Sequence, residues 1–317
     1  NPTQVHEYIE GFTSNQYKLY TDRTNWDVSS GTLSNLPTSG GAYREPAIAA
    51  DGQGGAYVAW SDLRNNSSNG NWDVYAQHVD SSGNRLWTED LRVNSDIDTA
   101  YQGVPLVVVD SQGNAIIAWI DDRQADAKAI YAQKIAPSGT KLWTEDVRVN
   151  SLSTYRSGWG VDSWSMAINA QDALVVVWQG IWENDWEDQD IYAQMLDSEG
   201  QRIWATDVRV HSGVGHRQTS VSVAVSTQGE IVVVWLDERN NGQDIYAQRL
   251  AADGTRLWLS DVKVSAGSGV ALQGNPNVVI DKLGNAIVVW RSGPADPPSD
   301  GQNSAILAQK LDLDGEL

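Results

Sequence analysis

The residues best suited to chemistry stand in two short segments, "YRSGWGVDSWSM" from Tyr155 and "WQGIWENDWEDQD" from Trp178. Together they set Trp159, Trp164, Trp182 and Trp186 beside Asp162, Glu183, Asp185, Glu187 and Asp188. Indole faces stack on the C–H faces of sugar rings while neighbouring carboxylates accept from sugar hydroxyls, and the same pairing suits cations. Carboxylates flanking a glycosidic bond also serve as acid and base. The candidate ligand-binding set is therefore Trp159, Asp162, Trp164, Trp182, Glu183, Asp185 and Trp186. The plain alternative is that these Trp fill gaps between loops.

Other chemistry is sparse. The chain has no cysteine, so thiolate nucleophiles, thiolate metal sites and disulfides are excluded. Of the four histidines, His211 and His216 share one loop with no third ligand evident; neither a metal site nor any cofactor is expected. No G-x-S-x-G, H-E-x-x-H or phosphate-loop motif is present. A formal charge of −19 opposes binding to nucleic acid or to anionic lipid. No run approaches the roughly 20 apolar residues of a membrane span, and the first residues do not read as a signal peptide. The chain reads as soluble and secreted.

The elements that must position these residues repeat. An apolar run closes on a tryptophan five times, at Trp60, Trp119, Trp178, Trp235 and Trp290. Each copy continues through a "YAQ"-type run, and the first four also through a "G-x-x-L-W"-type run, with Gly-rich turns between. Four antiparallel strands per repeat are expected, here called a to d, with strand d spanning stretches such as "RLWTEDLRV" from Arg85. Strand b, apolar at nearly every residue, must be covered on both faces. Sheets that bury both faces against neighbours make a propeller.

The expected architecture is an all-β, five-bladed β-propeller of four-stranded antiparallel blades in one domain, 1–317. The repeats span about 42–97, 100–152, 155–212, 216–266 and 271–317. The last repeat lacks strand d, and "YKLYTDRTNWDV" from Tyr17 matches it, so an N-terminal strand at about 17–28 is expected to complete the last blade. In such a blade the b-to-c loop and the d-to-a connection emerge at one edge, so the two Trp-rich segments should share a face.

Two repeated features are expected to be structural. Gln77, Gln133, Gln194, Gln248 and Gln309, polar within apolar strands, should satisfy irregular backbone groups. Asp62 with Arg64, Asp121 with Arg123, and Asp237 with Arg239 should form salt bridges that fix a turn.

The pattern W-x-D-x-R, D-I-Y-A-Q, G-x-x-L-W resembles the propeller repeats of secreted bacterial surface proteins and, more distantly, the Asp-box hairpins of sialidase-like propellers. Here Asp80 is three residues before Gly83 and Trp87 four after it, a spacing unlike the Asp box. The resemblance spans nearly the whole chain and implies the fold. Propellers host enzymes, lectins and scaffolds alike, so it leaves activity open.

On these grounds the chain is expected to be a non-catalytic extracellular binding module that recognises glycan through the Trp-rich face of its third repeat. A structural or protein-interaction subunit of a surface assembly, contacting another surface protein, is the alternative. A glycoside hydrolase comes third. It would place acids where strand a begins, and Glu45 and Asp162 are the acids found there.

Overall fold

The computed structural model describes residues 43–64, 72–95, 100–123, 128–151, 163–181, 189–213, 215–240, 242–265, 272–293 and 305–317. These residues are all-β, without a helix, and form five antiparallel sheets of the kind that make the blades of a β-propeller. No helix among them is long and apolar enough to cross a membrane.

The first sheet orders β1 (Tyr43–Ala50), β2 (Ala56–Asp62), β3 (Asp73–Val79) and β4 (Leu91–Arg92). The second orders β5 (Gln102–Val109), β6 (Ala115–Asp121), β7 (Ala129–Ile135) and β8 (Val147–Arg148). The third has β9 (Trp164–Ile168), β10 (Leu174–Ile181), β11 (Gln189–Leu196) and β12 (Val208–Arg209), and the fourth β13 (Gln218–Val225), β14 (Ile231–Asp237), β15 (Asp244–Leu250) and β16 (Val262–Lys263). The fifth shows three strands, β17 (Leu272–Ile280), β18 (Ala286–Gly293) and β19 (Ala305–Leu311). The closing strand expected at about 17–28 lies outside the described residues.

Two compact units result. One draws on residues 15–150 with the turn 199–201 and holds the first two sheets; the other draws on 1–14, 151–198 and 202–317 and holds the remaining three. In the two-sheet unit, β2 and β6 are buried at every residue, as strands covered on both faces must be. Their core joins Tyr57, Trp87, Ile117, Trp119 and Ile135. The Trp87 indole spans the two sheets by donating to the Pro137 carbonyl at 2.9 Å. The three-sheet unit repeats the device, Trp204 donating to the Ala252 carbonyl and Trp258 to that of Leu313, each at 2.9 Å. Each large side chain so buried contributes about 1.5–3 kcal/mol.

Strand d departs from expectation. In place of one run through "RLWTEDLRV", a single bridge at Val79 and Arg85 is followed by the two-residue β4. The break lies at Trp87, whose backbone pairs with a side chain: its N–H donates to Gln77 Oε1 at 3.0 Å, and its carbonyl accepts from Gln77 Nε2 at 3.2 Å. Gln194 makes the same pair with Trp204. The recurrent glutamine is thus the backbone-satisfying amide the sequence suggests. In the fifth sheet Gln309 instead donates to the Lys310 carbonyl.

The Asp–Arg pairs are structural too. Asp62 accepts from the Trp60 indole at 3.0 Å and the Arg64 backbone N–H at 2.7 Å, while the Arg64 guanidinium also reaches Asp90 at 2.9 Å and covers the Tyr75 ring at 4.1 Å. Asp121 with Arg123 and Asp237 with Arg239 repeat this arrangement.

Candidate functional site

Strand a begins with a bulge in four of the five sheets. The register shifts between Arg44 and Ala47, Gly103 and Leu106, Thr219 and Ser222, and Gly274 and Asn277. At each shift one residue takes a left-handed backbone: Glu45 at φ 57°, Val104 at 52°, Ser220 at 53° and Asn275 at 50°. That conformation costs a non-glycine residue roughly 1–2 kcal/mol, and such bulges re-aim side chains at strand ends. Its fourfold recurrence makes the bulge architectural. The identity of the occupant is where the sheets differ, and Glu45 is the one carboxylate among them.

Glu45 lies at the start of β1 with its side chain 32% exposed. Its Oε2 is the anchored oxygen, accepting from the Ser61 hydroxyl at 2.7 Å, the Val104 N–H at 2.9 Å and the Tyr101 hydroxyl at 3.4 Å. The Val104 N–H is itself positioned by that residue's left-handed turn, so the second sheet's bulge serves the first sheet's acid. Oε1 faces the Arg44 guanidinium, whose Nε is 3.6 Å away. One oxygen is thus held by three donors while the other faces the guanidinium.

Aromatic and cationic groups gather on Arg44 and Tyr101, the two residues that face this carboxylate. The Arg44 guanidinium sits 3.9 Å from the Trp72 ring centroid and 5.5 Å from that of Tyr101, and Lys128 Nζ lies 6.0 Å from the Tyr101 ring. Burial first, and then the Glu45 charge, push the Tyr101 phenol above its ordinary value, so it stays protonated and able to donate. All of these residues belong to the two-sheet unit.

Of the residues singled out in the sequence, Glu45 is brought into this cluster. Trp164, half-buried, opens β9 and pairs with the fully buried Trp178. Trp159, Asp162, Trp182, Glu183, Asp185 and Trp186 lie outside the described residues. The residues bordering their segments do share one sheet edge: the Gln179 N–H donates to the Ser163 carbonyl at 2.8 Å, and Ile181 pairs with Gln189. His211 is fully buried, its Nε2 2.9 Å from Asp190 Oδ1. Burial would raise the Asp190 carboxyl, but His211 and Arg209 outweigh it and hold the group below its usual value.

Arg44, Ser61, Trp72, Tyr101 and Lys128 escape the sequence reading. The available signal was misfit to the repeat, since pairing places Arg44 where Gly103 and Gly274 stand in other sheets, and Trp72 and Lys128 where Gln189 and Gln243 stand.

No family model and no curated protein matches the sequence. Solved structures do match in fold. A protein of unknown function from Dyadobacter fermentans is 10% identical with a TM-score of 0.54, covering 84% of this chain and 82% of that one. An ulvan lyase, of a polysaccharide lyase family and solved with a glucuronate and sulfated-rhamnose saccharide bound, is 11% identical with a TM-score of 0.50, covering 81% of this chain and 66% of its own. An endo-arabinase from Bacteroides thetaiotaomicron is 14% identical with a TM-score of 0.46, covering 86% and 96%. The likeness is one of fold. The expectation of a non-catalytic binding or structural module is corrected: the ulvan lyase, which shares the fold, is an enzyme.

Proposed function

We propose that the chain is a carbohydrate-active enzyme that cleaves a polysaccharide outside the cell, with Glu45 as its catalytic carboxylate. The observation that carries this reading is the occupant of the strand-a bulge. Equivalent positions hold Glu45, Val104, Ser163, Ser220 and Asn275, and the one carboxylate among them comes with a hydroxyl, a phenol and a guanidinium facing it. Anchoring Oε2 fixes the plane of the carboxylate, so Oε1 meets a bound sugar or a water in a constant orientation and takes up a proton there. Tyr101, kept neutral, donates a hydrogen bond to the substrate beside it. The ulvan lyase and endo-arabinase neighbours support polysaccharide as the substrate class, and the resemblance of the repeats to those of secreted surface proteins supports the extracellular setting.

The test is release of new chain ends from a panel of neutral and acidic polysaccharides by wild type and by Glu45→Gln. The isosteric variant should keep its melting temperature and lose about 10²–10⁴-fold in turnover, the range for removing a general base. Turnover that survives in Glu45→Gln, or no cleavage of any polymer, would overturn the proposal.

A further inference from the structure

We infer that the Glu45 site takes an anionic sugar, a uronate whose carboxylate is received by Arg44 and Lys128. This rests on the reading of that site as the catalytic one. With a formal charge of −19 the chain repels anionic polymers at long range, so cations placed locally must recognise such a substrate. Most described cations are engaged elsewhere: Arg64, Arg123 and Arg239 are each held between two aspartates, and Lys134 and Arg202 each on one.

Arg44 and Lys128 break that pattern. Lys128 has no acidic partner among the described residues and is directed at the Tyr101 ring. Arg44 has Glu45 as its acidic neighbour, but at 3.6 Å the contact is beyond hydrogen-bond length, and the Arg44 side chain is 45% exposed. Packing against Trp72 restrains the guanidinium while leaving N–H groups for a planar anion, a geometry suited to bidentate capture of a carboxylate. Arg44 and Lys128 both face the Tyr101 ring, while Glu45 accepts from its hydroxyl and Asp122 from its backbone N–H. A neutral sugar has no use for the two cations; a uronate does. Trp72 supplies a ring edge to the same residue of the polymer, and Tyr101 a hydroxyl between the acid and the cations.

The experiment measures binding separately from turnover. Glu45→Gln protein is titrated calorimetrically with oligogalacturonate and oligoglucuronate, and with the same oligomers after reduction of their carboxyl groups. Arg44→Ala and Lys128→Ala are then added singly to that background. We expect binding of at least one oligouronate, about tenfold weaker in each added variant as a charge-assisted contact is lost, and weaker again on carboxyl reduction. Equal affinity for the reduced oligomer, no loss in either variant, or no binding of either oligouronate overturns the inference. Glu45-dependent cleavage of neutral polymers alone overturns it while leaving the enzyme reading intact. Uronate binding that fails in both variants, with no polymer cleaved, upholds the inference and removes the enzyme reading instead.

Discussion

Gln77 and Trp87 satisfy each other across the outer edge of the first sheet, the glutamine amide donating to the Trp87 carbonyl at 3.2 Å and accepting from the Trp87 N–H at 3.0 Å. Gln77 is fully buried and its Oε1 also accepts from the His78 N–H at 3.0 Å. Gln77→Leu keeps the volume and strands these backbone groups. Each orphaned group costs about 1–3 kcal/mol, so the variant should lose at least about 2 kcal/mol in denaturant unfolding. A loss under about 0.5 kcal/mol would show that water reaches Trp87 and that the amide is dispensable.

That pair also marks how far the sequence could be read. The run ending at Trp60 announces a strand buried on both faces, and the five Gln positions announce a structural role because they recur with the repeat. The same recurrence misleads over strand d: Leu86 and Trp87 look extended, yet the ladder there is completed by a side chain, which no spacing reveals. Glu45 is legible as an acid where strand a begins. Tyr101 is not, because it comes from the neighbouring repeat and meets Glu45 only once two bulged strands lie side by side. The Trp-rich segments drew attention by departing from the repeat, and Arg44 departs from it as surely, by one residue in place of glycine.

Acid should unfold the three-sheet unit through Asp237. Burial alone would raise this carboxyl, but the Arg239 guanidinium and the Trp235 indole outweigh burial and hold it below the ordinary value of 3.8. A group depressed in the folded state stabilises above its unfolded value and loses that contribution as pH falls through the folded one. Stability of this unit should therefore decline from about pH 4 downward, with Asp190 acting in the same direction; Asp51 and Asp110 do the same for the two-sheet unit. Asp237→Asn should cost about 3 kcal/mol at neutral pH, as expected for breaking a buried pair, and flatten the acid limb of the stability profile. An unchanged acid limb in the variant would assign the titration to other groups.

Two glycines separate backbone strain from crowding. Gly254 and Gly113 both sit in left-handed turns, at φ 85° and 81°. A Cβ on Gly254 would lie 2.9 Å from a Val208 methyl and 3.1 Å from the Trp204 ring, whereas on Gly113 it would meet nothing nearer than 3.9 Å. Gly113→Ala should cost about 1 kcal/mol from the backbone alone. Gly254→Ala should cost a further 1–3 kcal/mol or so, because Trp204 is packed and cannot yield. Equal melting temperatures for the two variants would mean that the Trp204 slot is looser than its geometry indicates.

The bulge at Glu45 offers the sharpest test of whether strain is kept for function. Its equivalents include Asn275, so asparagine is a natural occupant of this left-handed position, and asparagine tolerates that backbone better than glutamate or valine. Val104→Asn should therefore stabilise the chain by about 0.5–1 kcal/mol, since a β-branched side chain at φ 52° is the most strained of the four. Glu45→Asn should gain less, because the shorter side chain gives up the bonds from Ser61, Val104 and Tyr101. It should nonetheless fold cooperatively, with a melting temperature within a few degrees of wild type, and lose polysaccharide cleavage. If Glu45→Asn unfolds the protein, the carboxylate is a structural anchor for Ser61 and Val104, and catalysis must be sought elsewhere. If it folds and still cleaves, the acid is neither.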